Sequence, residues 1–568
     1  MSLSLRFVLI LAACELGVSQ TVDSLLVQTP LGLIKGVRTS HSQSFWGIPY
    51  ADAPTGWRRW KPPQDLSPWH GIYDGTFPRP GCPQLCKQLV FACPKQISED
   101  CLYLNVFVPL TASLTPAPKY SSLPVMVWIH GGNFRDGTGS ALLYDGCFLA
   151  NSTNTVVVTI NYRLGALGFL VTGMNSSKDI SGNLGFLDQQ KALTWVQMNI
   201  ASFGGDPRKV TLFGQSAGAQ SVGLHLTVRS SESLFKQAII HSLPFSLPLK
   251  TKKQATVIGI RFLKIAGCLF EDMKCMSSLT TEKILDAQIK ADKEIHTPLS
   301  MLETFQPWGP VIDGEVIEEQ TFNAFAKGMW QKHKPVMAGI TSEEANLFVY
   351  ELLSEPLSRG LYVAYLLAAF NIHTPLVLLR YPPQKGQDQR LLLSQVVSDY
   401  ALTCPNRRAM RDMAESGASS WLYIFSQVAS IASAWGNKTY CYQHACHGSD
   451  MPFLWNTCSL INLTFTSEER TLADSMACFW GNFAHYGQPN PQSSNIVIKR
   501  PASSRGDLSH STNYSNKLPV CSKLNQSVYW PQYSLQNAWL FMNLTVNLNV
   551  TKEFRKKFCT FWDAFVPY

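Results

Sequence analysis

The chain has 568 residues, 48 lysines and arginines against 39 aspartates and glutamates, a formal net charge of +9, and only 15% charged residues, where about 25% is usual. Hydrophobic residues make up 45%, and the 37 glycines and 33 prolines are near average usage, which argues against intrinsic disorder, a collagen-like chain and low complexity. The basic clusters at residues 250–253 and 555–557 are short and scattered, so we expect no nucleic-acid partner.

The first 19 residues have the layout of a secretory signal peptide. Arg6 precedes an apolar run over residues 7–14, and the small residues Gly17 and Ser19 suit a cleavage site. No later stretch offers about 20 uninterrupted apolar residues, and we see no lipid-anchor or retention signal. We therefore predict a signal peptide at residues 1–19, a mature domain at residues 20–568, secretion, and no stable membrane anchor.

Cysteines and glycosylation motifs fit that compartment. Cleavage would remove Cys14 and leave 14 of the 15 cysteines, the even count that full disulfide pairing would leave. We expect glycans to supply the surface hydration that the low charge does not. Eight Asn-x-Ser/Thr motifs are the predicted acceptors: Asn151, Asn175, Asn437, Asn462, Asn513, Asn525, Asn543 and Asn549.

The patterned segments alternate between strand-like and helix-like, with no repeat and no Gly/Ser linker. Although the length would allow three or four domains, this alternation indicates a single α/β domain. The continuous apolar run at 123–130 and the β-branched run at 155–162 predict buried strands of a largely parallel sheet. Residues 187–200 have helical apolar spacing, and 210–213 predict a strand that runs into a tight turn.

That turn, Gly214-x-Ser216-x-Gly218, matches the nucleophile elbow, in which a sharp strand-to-helix turn exposes a serine hydroxyl above a sheet. Alone the pattern is weak, because chance produces roughly 0.2 matches in a chain of this composition. A strand before it, a small-residue helix after it, and the glycine turn at 130–132, where oxyanion donors are expected, strengthen it. We therefore predict a serine nucleophile.

A serine hydroxyl needs a base and an orienting acid, in the chain order Ser, acid, His. Nine histidines follow Ser216, and the residues alone favour only one in a loop, with 441–450 the most loop-like setting. An alternative there is a metal site, which we disfavour because an oxidising compartment favours disulfides over thiolates. Its ligands would be Cys441, His444, Cys446 and His447.

Around these motifs the chain resembles the type-B carboxylesterase and cholinesterase family of α/β hydrolases. The resemblance implies an α/β-hydrolase fold, with a large, mostly parallel central sheet and helices on both faces, and a member closer to a general carboxylesterase than to a cholinesterase. The similar segments cover most of the mature chain in the family's order: 98–105, 124–134, 159–169, 183–218, 476–490 and 558–567.

The resemblance also implies a catalytic triad and no cofactor. Ser216 is the nucleophile. The acid lies in a segment similar to residues 339–348, which points to Glu344, with Glu343 as the register alternative. The histidine lies in a motif like His447-Gly-Ser-Asp-Met-Pro-Phe, which selects His447 over His444.

Three departures from the family bear on the substrate. The implied oxyanion donors are the N–H groups of Gly132, Asn133 and Ala217, and Asn133 brings a side chain where the family has a third glycine. Gln215 replaces the glutamate of many relatives, and the loop at 82–101 lacks the tryptophan with which cholinesterases stack on choline. We therefore expect a small-molecule, uncharged ester as substrate, with lipid-like esters among the candidates.

The resemblance further implies three disulfides, Cys82–Cys101, Cys268–Cys275 and Cys404–Cys559. Eight cysteines remain that could form four more bridges, and the sequence leaves their pairing open. They are Cys86, Cys93, Cys147, Cys441, Cys446, Cys458, Cys478 and Cys521.

A second hypothesis is a catalytically silent adhesion or binding member, because a fold does not fix function. Such relatives typically lose the serine or the histidine, whereas Ser216, Glu344 and His447 are all present. We therefore favour a serine esterase acting through an acyl-enzyme. The physiological ester and the oligomeric state are left open by the sequence.

Overall fold

The computed structural model describes residues 24–88, 90–114, 122–174, 179–294, 305–491, 518, 520–521 and 528–565. The predicted signal peptide lies outside these residues, as do three of the predicted glycosylation sites, Asn175, Asn513 and Asn525.

The strands of the described chain form one large sheet and one small pair. They are β1 Ser24–Thr29, β2 Gly32–Arg38, β3 Gln43–Pro49, β4 Ile72–Asp74, β5 Tyr103–Val108, β6 Leu123–Ile129, β7 Val156–Ile160, β8 Gly205–Gln215, β9 Gln237–His241, β10 Lys250–Thr251, β11 Val311–Ile312, β12 Val336–Thr341, β13 Ser420–Phe425, β14 Phe541–Leu544 and β15 Asn549–Thr551.

The large sheet has the order β1-β2-β3-β5-β7-β6-β8-β9-β12-β13-β14-β15, with β4 paired to β2. From β7 to β14 every neighbouring pair is parallel, and the antiparallel pairs lie at the two ends. Because parallel neighbours end at the same edge, the segments that follow β6, β8, β9 and β12 meet above one edge of the sheet. The predicted site residues at 130–133, 216 and 343–344 all follow these strands.

Helices cover both faces of the sheet. Successive residues of β6 alternate between two buried clusters, because neighbouring side chains of a strand point to opposite faces. One cluster includes the helix Leu184–Asn199, and the other includes the helix Ser467–Tyr486. The architecture is therefore the α/β-hydrolase fold that the resemblance implies.

The α-helices of the described residues are Cys147–Thr153, Gly165–Phe169, Leu184–Asn199, Ala217–Thr227, Lys252–Ala266, Met273–Ser278, Thr281–Glu294, Thr321–Ala326, Asn346–Leu352, Arg359–Phe370, Thr374–Arg380, Arg390–Val397, Cys404–Glu415, Met451–Trp455, Ser467–Tyr486 and Lys556–Phe565, with a π-helix at Ser398–Thr403.

Six disulfides join cysteines of the described residues, including the three pairs that the resemblance implies, Cys82–Cys101, Cys268–Cys275 and Cys404–Cys559. The other three are Cys86–Cys93, Cys441–Cys446 and Cys478–Cys521. The expectation of full pairing is wrong, since Cys147 and Cys458 are free thiols, both buried in the apolar cluster on one face of the sheet. Burial raises the pKa of the Cys458 thiol to about 11, so it stays protonated and packs as a small apolar side chain.

One helical segment of the described chain, Arg359–Arg380, is long and apolar enough by length and composition to cross a membrane. It does not meet the criterion of about 20 uninterrupted apolar residues, because the polar residues Asn371 and His373 interrupt its apolar sequence. In the fold it forms two helices whose inner residues, such as Tyr362, pack in a buried cluster. Its outer face exposes Leu361, Leu367, Ile372 and Leu379.

Candidate active site

Ser216 stands at the turn between β8 and the helix Ala217–Thr227. Its backbone angles, φ 59° and ψ −120°, are rare for a non-glycine residue and cost about 1–3 kcal/mol. A Cβ on Gly218 would lie 2.0 Å from the carbonyl oxygen of Ile129, and one on Gly214 would lie 2.6 Å from that of Gly218. Both glycines are therefore required by close backbone approach, and the turn has the geometry of a nucleophile elbow.

Glu344 and His447 form a buried pair, with 2.5 Å between Glu344 Oε2 and His447 Nδ1. The other carboxylate oxygen accepts hydrogen bonds from the Ser242 hydroxyl at 2.6 Å and the Thr341 N–H at 2.7 Å. Because this carboxylate accepts on both oxygens, Nδ1 of the neutral imidazole carries the proton and Nε2 presents its lone pair. The ring of Phe348 packs on His447, with 4.8 Å between centroids.

Glu343, the register alternative, pairs with a different histidine. Its Oε1 lies 2.6 Å from His444 Nδ1, and both side chains are about one-third exposed. This hydrogen bond raises the pKa of His444, whereas partial burial opposes it. Burial raises the pKa of Glu343, but the bonds from His444 and from the Ala445 N–H outweigh it and lower that pKa. The geometry thus sets Glu344, and not Glu343, against His447.

The remaining ring nitrogen of His447 faces Gln215. Gln215 Nε2 lies 2.8 Å from His447 Nε2, and the Gln215 residue is buried. No hydrogen bond joins the Ser216 hydroxyl to another described residue. From the sequence, Gln215 is only a missing negative charge, because a sequence pattern does not show a contact between residues 232 positions apart.

The loop after β6 carries the predicted oxyanion donors. Gly132 and Asn133 have positive φ of 111° and 54°, and a Cβ on Gly131 would lie only 3.1 Å from Ser216 Cβ. Within the described chain, the N–H groups of Gly132, Asn133 and Ala217 make no hydrogen bond. The Asn133 side chain donates to the Phe305 carbonyl at 2.5 Å, so its amide anchors the loop to a neighbouring segment.

A buried polar network, which no local sequence pattern shows, supports both the turn at Ser216 and the histidine loop, residues 441–450. The Ser216 N–H donates to the carbonyl oxygen of His241 at 3.0 Å. The His241 ring lies 3.1 Å from Asp450 Oδ2, and the Tyr423 hydroxyl lies 2.7 Å from the ring and 3.0 Å from that oxygen. Trp480 donates to His241 Nε2 at 3.2 Å. In the sequence, His241 is only a histidine at the end of a strand, and this position does not show which residues it bonds to.

The metal alternative for the 441–450 loop is not supported, because Cys441 and Cys446 are joined in a disulfide and cannot act as thiolate ligands. His444 and His447 are each paired with a glutamate instead. The short Cys441–Cys446 bridge closes the turn directly before His447.

A small cavity of about 40 Å³ lies beside the histidine loop. Gly448 and Ser449 form one wall, and the Ser449 hydroxyl is buried with no hydrogen-bond partner among the described residues. Its other lining is mostly apolar: Phe91, Leu143, Ala429, Ile431, Ala434, Trp435 and Pro452. Phe91 belongs to the loop closed by Cys82–Cys101, the one without a tryptophan.

Comparison with known proteins bears on this site. A model of the carboxylesterase family matches residues 23–562. The chain is 38% identical to the Crystal protein of Dictyostelium discoideum, over 81% of each chain, and 36% identical to the cAMP-regulated D2 protein of the same organism, over 83% of this chain and 85% of that one. It is 30% identical to the Acetylcholinesterase of Bungarus fasciatus, over 99% of this chain and 90% of that enzyme.

Proposed function

Because this chain belongs to the carboxylesterase family, we propose that it is a secreted serine hydrolase that cleaves uncharged carboxylic esters with Ser216, His447 and Glu344. The observation that carries the proposal is the Glu344–His447 pair at 2.5 Å, on the edge of the sheet where the strained Ser216 turn also lies. The N–H groups of Gly132, Asn133 and Ala217, which have no hydrogen-bond partner among the described residues, lie in and beside that turn.

The proposed reaction assigns a step to each group. His447 Nε2 takes the Ser216 proton as the hydroxyl oxygen attacks the ester carbonyl carbon, while Glu344 holds the imidazole and stabilises its positive charge. The N–H groups of Gly132, Asn133 and Ala217 bind the oxyanion, and losing one such donor costs about 3 kcal/mol. His447 then protonates the departing alcohol, and water repeats the sequence on the acyl-enzyme.

An uncharged ester fits the groups around the histidine better than a cationic one. Gln215 is neutral, so no carboxylate stands directly beside the nucleophile. The cavity at Gly448 and Ser449 is lined mostly by apolar side chains, and its lining includes no carboxylate that would attract a cation. We propose that small apolar alcohol groups are preferred over choline.

Treating the purified protein with a fluorophosphonate probe tests this function. We expect stoichiometric labelling that maps to Ser216 and is abolished in Ser216→Ala, because only an activated serine attacks the probe. Ser221→Ala is the matched control, since Ser221 lies on the helix that follows the turn and its hydroxyl bonds to the Ala217 carbonyl at 3.1 Å. A folded protein that is not labelled, or that is labelled equally without Ser216, would favour the silent binding member.

We propose that the protein is exported and N-glycosylated. Six disulfides suit an oxidising compartment, and four predicted acceptors are exposed, namely Asn151, Asn437, Asn462 and Asn549. Asn543 is half-buried in β14 and accepts a hydrogen bond from the Ser426 hydroxyl at 2.9 Å.

When the protein is expressed in a eukaryotic secretory host, we expect it in the medium with a mass that an N-glycosidase reduces. Glycopeptide mapping should find glycans on the four exposed asparagines and little or none on Asn543, because its side chain is engaged within the sheet. The deglycosylated protein should aggregate at concentrations where the native form stays clear, since only 15% of its residues are charged. Retention inside the cell, or an unchanged mass, would contradict the proposal.

A further inference from the structure

The contact between Gln215 and His447 has a consequence for the reaction. We propose that Gln215 is a positioning residue that holds His447 in a resting arrangement, so that Ser216 must displace its amide before the proton can be transferred. This inference rests on the proposed function, because it concerns the base of that triad. It concerns the residue next to the nucleophile, whose amide Nε2 lies 2.8 Å from the ring Nε2.

The hydrogen bond to Glu344 determines which ring nitrogen of His447 carries the proton. Glu344 accepts at His447 Nδ1, so the proton of the neutral imidazole is on Nδ1 and the lone pair is on Nε2. An amide NH₂ group can only donate, and an imidazole nitrogen has one in-plane lone pair. Gln215 therefore donates to the same lone pair that must accept the Ser216 proton. The Ser216 hydroxyl, in turn, has no hydrogen bond to another described residue.

The orientation of the amide follows from the same chemistry. If the amide were turned by half a rotation, Oε1 would face the Nε2 lone pair, and two acceptors would oppose each other. After the proton has moved from Ser216 Oγ to His447 Nε2, that ring nitrogen is a donor. Of the two amide atoms of Gln215, only Oε1 could then accept from it. The amide must therefore turn or withdraw during each acylation step.

The backbone cannot make this movement, because it is fixed on both sides. Gln215 is the last residue of β8 and pairs with His241 of β9, and the Ser216 N–H donates to the His241 carbonyl at 3.0 Å. The side chain lies between two glycines. A Cβ on Gly131 would be 2.8 Å from Gln215 Oε1, and a Cβ on Gly448 would be 3.7 Å from Nε2. The amide thus lies between the loop that carries Gly132 and Asn133 and the loop that carries His447.

Replacing the amide by an isosteric apolar group tests the inference. In Gln215→Met the competing donor is gone, and we expect kcat/KM for a neutral ester and the rate constant of fluorophosphonate labelling to rise about 3- to 10-fold, the range that one net hydrogen bond allows. The hydrogen bond that Gln215 donates favours the neutral imidazole over the protonated one. Without it, the fall in activity on the acid side of the pH profile (the acid-side fall) should move to higher pH. Gln215→Glu should move it further in the same direction, because a carboxylate favours the protonated ring.

The other titratable groups nearby are Glu344 on Nδ1 and the pairs His444–Glu343 and His241–Asp450 on adjoining turns. None of these is altered in the Gln215 variants. Gln189→Met is the control, since Gln189 is a fully buried glutamine that bonds to Ser221 and His225. It should lower the thermal midpoint without moving the acid-side fall in activity.

The outcomes separate this inference from the function on which it rests. The inference is overturned and the function stands if the wild type is labelled at Ser216 but Gln215→Met reacts no faster. The acid-side fall would then also be unmoved in both Gln215 variants, while their thermal midpoints show that they fold. If neither wild type nor variants are labelled, the function fails and the inference with it. Faster labelling of Gln215→Met together with the shifted pH profile supports both.

Discussion

Changing Glu344 to glutamine is expected to lower kcat for a neutral ester by about 10³- to 10⁴-fold while the protein still folds. The Ser242 hydroxyl and the Thr341 N–H both donate to Oε1, so the glutamine carbonyl would take that position and its NH₂ would face His447 Nδ1. An NH₂ donor there forces the ring proton onto Nε2. That tautomer has no lone pair with which to accept the Ser216 proton, so kcat falls much more than KM changes.

The chain supplies a matched control in the neighbouring glutamate. Glu343→Gln alters the pair with His444, in which both side chains are about one-third exposed, and leaves His447 untouched. We expect an unchanged kcat and a stability loss below about 1 kcal/mol, as is usual for a solvent-exposed ion pair. Steady-state kinetics of both variants, with circular dichroism as the folding control, decides the assignment. An equal loss in both variants would contradict it.

Two central strands of the sheet, β6 and β7, were predictable because they consist of continuous runs of buried apolar residues. The prediction of 123–130 corresponds to β6 Leu123–Ile129, and that of 155–162 to β7 Val156–Ile160. The strand predicted at 210–213 is much longer, Gly205–Gln215, because its first half is partly exposed and polar and therefore lacks the apolar signal. The helix predicted over 187–200 begins earlier, at Leu184, after Asn183 in the left-handed conformation.

The sequence predicts candidate site residues only from motifs and their order along the chain. The elbow around Ser216 has a local signature, because Gly214 and Gly218 are imposed by backbone contacts within and beside the turn. The Gln215–His447 contact and the His241–Asp450 network join residues 232 and 209 positions apart, so no local pattern contains them. The free thiols of Cys147 and Cys458 were not predicted for the same reason, since an even number of cysteines does not show which pairs lie close enough to form a disulfide.

A buried ion pair lies behind the loop that follows β6. Arg163 donates to both oxygens of Asp188, with bonds of 2.8 and 2.7 Å, and its side chain is 3% exposed while that of Asp188 is fully buried. Arg163 also donates to the Lys61 carbonyl at 2.8 Å. Two residues after Arg163, the Gly165 N–H donates to the Phe134 carbonyl at 2.7 Å, which ties this pair to the loop that carries Gly132 and Asn133.

Asp188→Ala is therefore expected to lower the free energy of unfolding by about 3–5 kcal/mol, because it leaves a guanidinium charge buried without its partner. Asp286→Ala is the matched control: it removes a carboxylate from the Lys290–Asp286 pair, whose side chains are 59% and 58% exposed, and should cost no more than about 0.5 kcal/mol. Urea denaturation followed by tryptophan fluorescence measures both free energies of unfolding.

The double variant Arg163→Met/Asp188→Leu should recover much of the stability lost in Asp188→Ala, since replacing both charges leaves no unpaired ion in the core. If Asp188→Ala costs no more than the exposed control, the pair does not hold the loop that carries Gly132 and Asn133. Other contacts must then position that loop, and the Asn133–Phe305 hydrogen bond is the first to remove.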